Sequence, residues 1–165
     1  CLIGSLRRQW DGVFVMIGSR EERGYVDQVL AGVSAADVVN AAGECTLAEL
    51  IALLESSRLV ITVDSGLYHL AASVSPAVLS LWGPGDYGHY CGAAQGVKDV
   101  PVSVSLICRP CIYRRLAPPC RGDNRCMKLI HPWTVYTAAC AELGLVPEPV
   151  LRADFETEYG MENGV

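Results

Sequence analysis

The groups most able to do chemistry lie at Asp64, Ser65 and Gly66, with His69 three residues on and Gly83-Pro84-Gly85-Asp86 further along. The first three close an apolar run, LVITV, and open a helix-forming segment, LYHLAAS. A helix that starts on a small polar turn presents unpaired backbone N–H groups, which favour an anion. Asp64 can accept hydrogen bonds from ligand hydroxyls. Ser65 can cap the helix, and Gly66 lets a ligand approach the backbone. His69 falls on the first helical turn, within reach of the same rim. The same residues also suit a plain helix cap followed by a packing histidine.

Other candidates are weaker one by one. Glu21 and Glu22 follow Gly18 at the end of an earlier apolar run, where a carboxylate can bind a ribose hydroxyl or simply complement a helix N-terminus. Cys108-x2-Cys111-x8-Cys120-x5-Cys126 has a spacing that can place four thiolates around a structural zinc, at about 2.3 Å from each sulfur. Two disulfides or four free thiols fit the same spacing. Metal analysis of protein purified without chelator separates these readings. Cys45, Cys91 and Cys140 sit in stretches that read as core or turn, and no Ser-His-Asp or Cys-His arrangement has a persuasive context.

The elements that must position these groups alternate. Residues 11–19 predict a strand and the following EERGYVDQVLAGV a helix; a short strand is expected at about 37–41. Thr46 and Glu49 form a capping box for TLAELIALLESSR. Strands are then expected at 59–63, 77–82 and 101–107, a helix at 67–73 between the first two, and a last helix from Pro132 to a stop at Gly144. Residues 87–96 and the cysteine lobe 108–127 lack periodicity. This βαβαβαβ order predicts an α/β class: a Rossmann-like parallel sheet flanked by helices, with its site at the carboxyl ends of the strands. The expected organisation is one Rossmann-like domain over 1–146 and an acidic tail over 147–165, frayed or packed on something absent.

Composition narrows the function classes. With 51% hydrophobic and 19% charged residues the chain can bury a core. No stretch reaches the run of about 18 apolar residues that a membrane span requires. The formal net charge of −5 argues against a nucleic-acid binder. Arg114, Arg115, Arg121, Arg125 and Lys128 make the only local basic cluster. The chain begins with Cys1 and has no signal-peptide pattern, so it reads as a fragment with mostly reduced, cytoplasmic thiols.

Taken together, ITVDSGLYHLAA at 61–72 and LSLWGPGD at 79–86 closely resemble glycosyltransferase family 9, the heptosyltransferases of lipopolysaccharide assembly. The resemblance extends upstream through VFVMIGSREE and GECTLAELIALLESSRLV, and downstream through the C-x2-C, Cys126-Met127 and HPWTV. It implies the C-terminal half of a GT-B fold, incomplete at its N-terminus, that binds a nucleotide-sugar donor such as ADP-heptose. Asp64, Ser65, Gly66 and His69 would hold the diphosphate and sugar, Glu22 the ribose and Cys45 the adenine pocket. Gly83, Pro84 and Gly85 would form a loop beside the donor.

The implied reaction is an inverting, metal-independent transfer needing no cofactor. Its acceptor is a glycan or glycolipid, reached through an acceptor domain outside this chain that also supplies the catalytic base. No catalytic residue is assigned within the chain, which is expected not to turn over alone. Cytoplasmic placement, peripheral at the inner membrane face, and pairing of copies through an exposed sheet edge complete these expectations. The competing readings are a non-catalytic Rossmann-like interaction module and another GT-B sugar-nucleotide enzyme of the epimerase or glycogen-synthase kind.

Overall fold

The computed structural model describes residues 2–33, 38–92, 94–112, 114 and 117–159. Among them the chain forms five short strands and eight helices, divided into two compact units at Leu50 and Ile51.

In the first unit, α1 (Leu2–Arg7) precedes β1 (Phe14–Met16), α2 (Arg23–Leu30) and β2 (Val38–Asn40). The two strands pair in parallel, Phe14 opposite Val38 and Met16 opposite Asn40. The pairing continues into the loops beyond them, where Ala41 N donates to Met16 O at 2.8 Å and Gly43 N to Gly18 O at 2.9 Å. Asn40 then fixes α2 by donating from Nδ2 to Asp27 Oδ1 (2.7 Å) and to the Arg23 carbonyl (3.1 Å). Leu6, Val26 and Ala42 are the buried apolar residues here. The strand expected at 37–41 therefore forms at Val38–Asn40, residue 37 lying outside the described residues.

Helix α3 (Leu47–Ser56) runs across the division and starts as the capping box requires. Glu49 Oε2 accepts from Thr46 N at 2.8 Å and from Thr46 Oγ1 at 2.7 Å, while Glu49 N donates to Thr46 Oγ1 at 3.3 Å.

The second unit is built on β3 (Val60–Val63), β4 (Ala77–Leu81) and β5 (Lys98–Val102), all parallel, with β4 in the centre. Every β4 residue from Ala77 to Ser80 is buried, as expected for a strand covered on both faces. On β3 the burial alternates: Val60 and Thr62 point inward, Ile61 and Val63 outward. Helix α4 (Gly66–Val74) packs on β3 and β4. The one-turn helices α5 (Tyr87–Tyr90) and α6 (Arg125–Lys128) fall in the segments without periodicity. Helix α7 (Pro132–Leu143) packs on β4 and β5, and α8 (Val150–Tyr159) packs on α7. Gly144 ends α7 in the left-handed conformation at φ 72°, and Leu145 N bonds back to Cys140 O at 2.8 Å.

Among the described residues the parallel strands pair as a doublet, β1–β2, and a triplet, β3–β4–β5. Two expectations are corrected. The strand expected at 101–107 forms at 98–102, because pairing with β4 sets its register, Ala77 opposite Lys98 and Leu81 opposite Val102. Pro101 is tolerated there because β5 is an edge strand, where a missing N–H breaks no ladder.

The tail is not frayed over its described part. Leu151 and Phe155 of α8 are buried, and the Phe155 ring lies 5.8 Å from Tyr136 and 6.1 Å from Trp133. Two apolar residues four apart give one helical face enough to dock on α7. Residues 160–165 lie outside the described residues, as do Cys1 and Arg115.

Phe155→Ala is expected to lower the unfolding free energy by about 3–5 kcal/mol in a urea titration. Hydrogen bonds from the Thr46 N–H and hydroxyl hold the Glu49 carboxyl below the ordinary glutamate range. The folded value is therefore the lower one, so this stabilisation is complete above the unfolded range and lost as pH falls through the folded value. Amide exchange in the first turn of α3 should rise across that acid window, and Glu49→Gln should flatten the dependence.

Candidate functional site

In the second unit the two motifs meet at the carboxyl edge of the sheet. Asp64 N donates to Leu81 O at 3.2 Å, which carries the β3–β4 pairing one residue past β3 and sets Asp64 beside the segment leaving β4. A Cβ added at Gly85 would lie 2.1 Å from Asp64 Oδ2 and 3.3 Å from Trp82 Cε3. A side chain there would push the Asp64 carboxylate aside and press on the indole. Gly83 and Gly85 are buried, whereas Asp64, Gly66 and His69 are exposed.

Ser65 is the N-cap of α4 with extended dihedrals, φ −154° and ψ 175°, yet its side chain makes no capping hydrogen bond. The expectation that its hydroxyl caps the helix is thus corrected. Tyr68 N reaches Ser65 O at 3.0 Å, so the backbone closes this first turn. Beyond its chain neighbours and the backbone of its own helix, no protein atom lies within 4 Å of where a Gly66 Cβ would stand. Carboxylate, hydroxyl, imidazole and a helix start thereby share one accessible turn. Such a turn can bind an anion through N–H groups and neighbouring hydroxyls through Asp64.

Glu22 and Cys45 belong to the first unit. Glu22 Oε2 accepts from Ser19 N at 2.7 Å, folding its carboxylate over the turn after β1. The Glu21 carboxyl is held below its ordinary range by its own backbone N–H and by the Ser19 hydroxyl. Cys45 is an exposed free thiol just before Thr46. The loops after β1 and β2 that carry Glu22 and Cys45 are joined by the Gly43–Gly18 hydrogen bond and by Arg23, whose Nη1 reaches Glu44 Oε1 at 2.6 Å.

Cys108, Cys111, Cys120 and Cys126 are free thiols, and among the described residues no group of three His, Cys, Asp or Glu side chains is placed to hold a metal ion. Two of them are engaged locally instead. Backbone N–H groups of Asn124 and Gly122 face the Cys120 thiol and hold its pKa below the ordinary value. Cys126 Sγ donates to Asn124 Oδ1 at 3.4 Å, and burial pushes its pKa up.

What the cysteine lobe does is grip the 83–85 loop. Arg109 Nε donates to Gly83 O at 2.5 Å, Cys111 N to Pro84 O at 3.0 Å and Ile112 N to Pro84 O at 3.2 Å. The Met127 side chain lies against Gly83. Arg109, which also donates to Val104 O, had no signal in the sequence beyond its place between two cysteines. It borders an open cleft of about 250 Å³ together with Asp86, Tyr87 and Ser105. Asp86 pairs there with Arg114.

Gly85→Ala should cost about 1–3 kcal/mol by overpacking and displace the Asp64 carboxylate, read as a shift of its carboxyl ¹³C resonance.

The sequence model of glycosyltransferase family 9 (heptosyltransferase) matches residues 4–117. Lipopolysaccharide heptosyltransferase 1 of Pseudomonas aeruginosa is 32% identical over 142 residues, covering 79% of this chain and 38% of that protein. Lipopolysaccharide heptosyltransferase 2 of Salmonella typhimurium is 30% identical over 73 residues, 42% of this chain and 21% of that protein. The fold is shared with E. coli ADP-heptose lps heptosyltransferase II at a TM-score of 0.67 and 23% identity, over 86% of this chain and 39% of that one. It is shared too with the family 9 glycosyl transferase of Veillonella parvula at 0.64 and 22%, over the same shares. The chain spans about two-fifths of the length of these solved structures. Among the described residues no helix is long and apolar enough to cross a membrane. With the match extending over most of its length and the motifs seated at the strand ends, the chain belongs to glycosyltransferase family 9.

Proposed function

We propose that the turn Asp64-Ser65-Gly66 and His69 hold the diphosphate and sugar of a nucleotide-sugar donor of the ADP-heptose type. The observation that carries this reading is the accessible start of α4, uncapped by Ser65 and open above Gly66. An anionic ligand supplies acceptors where the side chain of Ser65 does not, and the helix dipole favours its charge. Gly83, Pro84 and Gly85, seated by the cysteine lobe, form the wall beside the donor.

In this reading the chain is the donor-binding part of an inverting glycosyltransferase that moves heptose or a related sugar to a lipopolysaccharide-type glycan. The departing diphosphate is stabilised by the helix start, with no metal required. The base that deprotonates the acceptor hydroxyl is assigned to no residue of this chain, and the chain alone is expected not to turn over.

Calorimetry with ADP, UDP and GDP tests the donor claim: ADP binds, and binding of none of the three by the folded chain overturns it. Gly66→Ala sharpens the test. Its Cβ meets nothing within 4 Å beyond its chain neighbours and its own helix backbone, so the variant should melt like the parent while losing ADP binding.

A further inference from the structure

Beneath the accessible turn lies a polar network that the donor-site reading leaves without a role. Asp99, on β5, accepts from the Tyr68 hydroxyl at 2.6 Å and from Ser80 Oγ at 2.8 Å. The Tyr87 hydroxyl faces the same carboxylate. Ser80, fully buried, spends its one proton on Asp99 and accepts from Trp82 Nε1 at 2.9 Å. The rings then stack the contacts outward. Tyr68 meets His69 edge-on at 5.0 Å and Trp82 at 5.1 Å, and Trp82 meets Tyr87 at 5.3 Å.

One carboxylate thus joins three elements. Tyr68 belongs to the first turns of α4, Ser80 to β4, and Tyr87 to the start of α5, next to Asp86. The indole of Trp82, held by Ser80, is the surface on which Gly85 rests, and Gly85 in turn abuts Asp64. Burial raises the Tyr68 and Tyr87 phenols above the ordinary tyrosine range, and the Asp99 charge adds to it. Both remain protonated at neutral pH, and Tyr68 donates to that charge.

We infer that Asp99 is a positioning residue: its carboxylate sets the seat of α4 through Tyr68 and of residues 82–87 through Ser80, Trp82 and Tyr87, and so orients His69 and Asp64. The inference rests on the donor-site reading only for what those oriented groups bind. A carboxylate does this better than an apolar residue because charged hydrogen bonds are directional and about twice as strong as neutral ones. Removing it leaves buried hydroxyls without their acceptor.

The test compares Asp99→Ala and the isosteric Tyr68→Phe with Phe155→Ala, which loosens the packing of α8 on α7 instead. In the nucleotide-free protein, the His69 ring ¹⁵N resonances are expected to move in the first two variants and stay in place in the third. The Kd for ADP is expected to rise about tenfold in the first two only. Lower melting temperatures with unchanged His69 resonances and unchanged ADP affinity overturn the inference. So does a Phe155→Ala variant that moves both readouts equally. If Asp99→Ala does not fold, Tyr68→Phe, which keeps the ring in place, decides. If the parent chain binds no ADP, the donor-site reading fails, and the His69 resonances alone support or overturn the positioning role.

Discussion

The indole of Trp82 is what the accessible edge of the second unit rests on. It is completely buried, anchored through Nε1 to Ser80, and bordered by Tyr68 and Tyr87 in edge-on contact. A ring this large in a close-packed interior fixes its neighbours, because moving it would open a void that nothing fills. Gly85 lies on one side of it, and Asp64 lies on Gly85. The relation between the two polar motifs is therefore set by packing, not by a direct bond between them.

That arrangement depends in turn on β4. Covered on both faces, it delivers Trp82 and the following loop to a fixed point, with Asp64 N on the Leu81 carbonyl marking the level of the neighbouring strand. The loop is then held from its far side by the cysteine lobe, through Arg109, Cys111 and Ile112 on the carbonyls of Gly83 and Pro84. A segment without helix or strand periodicity does structural work by donating to exactly those carbonyls that a turn leaves unpaired. Of its cysteines, Cys111 and Cys126 are buried, and Cys126 bonds locally to Asn124.

Much of this was legible in the residues. The capping box at Thr46 and Glu49, the start at Pro132 and the stop at Gly144 are local signals, and each formed where the pattern placed it. The turn at 64–66 and the loop at 83–86 were readable as strand ends because small polar and glycine residues interrupt apolar runs. Less legible were the elements whose limits are set by a partner. The register of β5 comes from β4, and α8 is a helix because Phe155 and Leu151 find α7, whereas the acidic composition of the tail hides that face. Arg109 and Asp99 gave no motif, since their roles depend on carbonyls and hydroxyls far away in sequence.

Sequence alone determined the parallel α/β class, the alternation of strands and helices over 14–102 and the family, because strand–helix alternation and strand-end motifs are local and survive in a short window. Tertiary structure alone decided where β5 pairs with β4, that Ser65 leaves the helix start uncapped, and that Gly85 lies against Asp64. These are questions of distance between residues remote in the chain. Spacing along a sequence constrains such distances only after packing has chosen which surfaces touch.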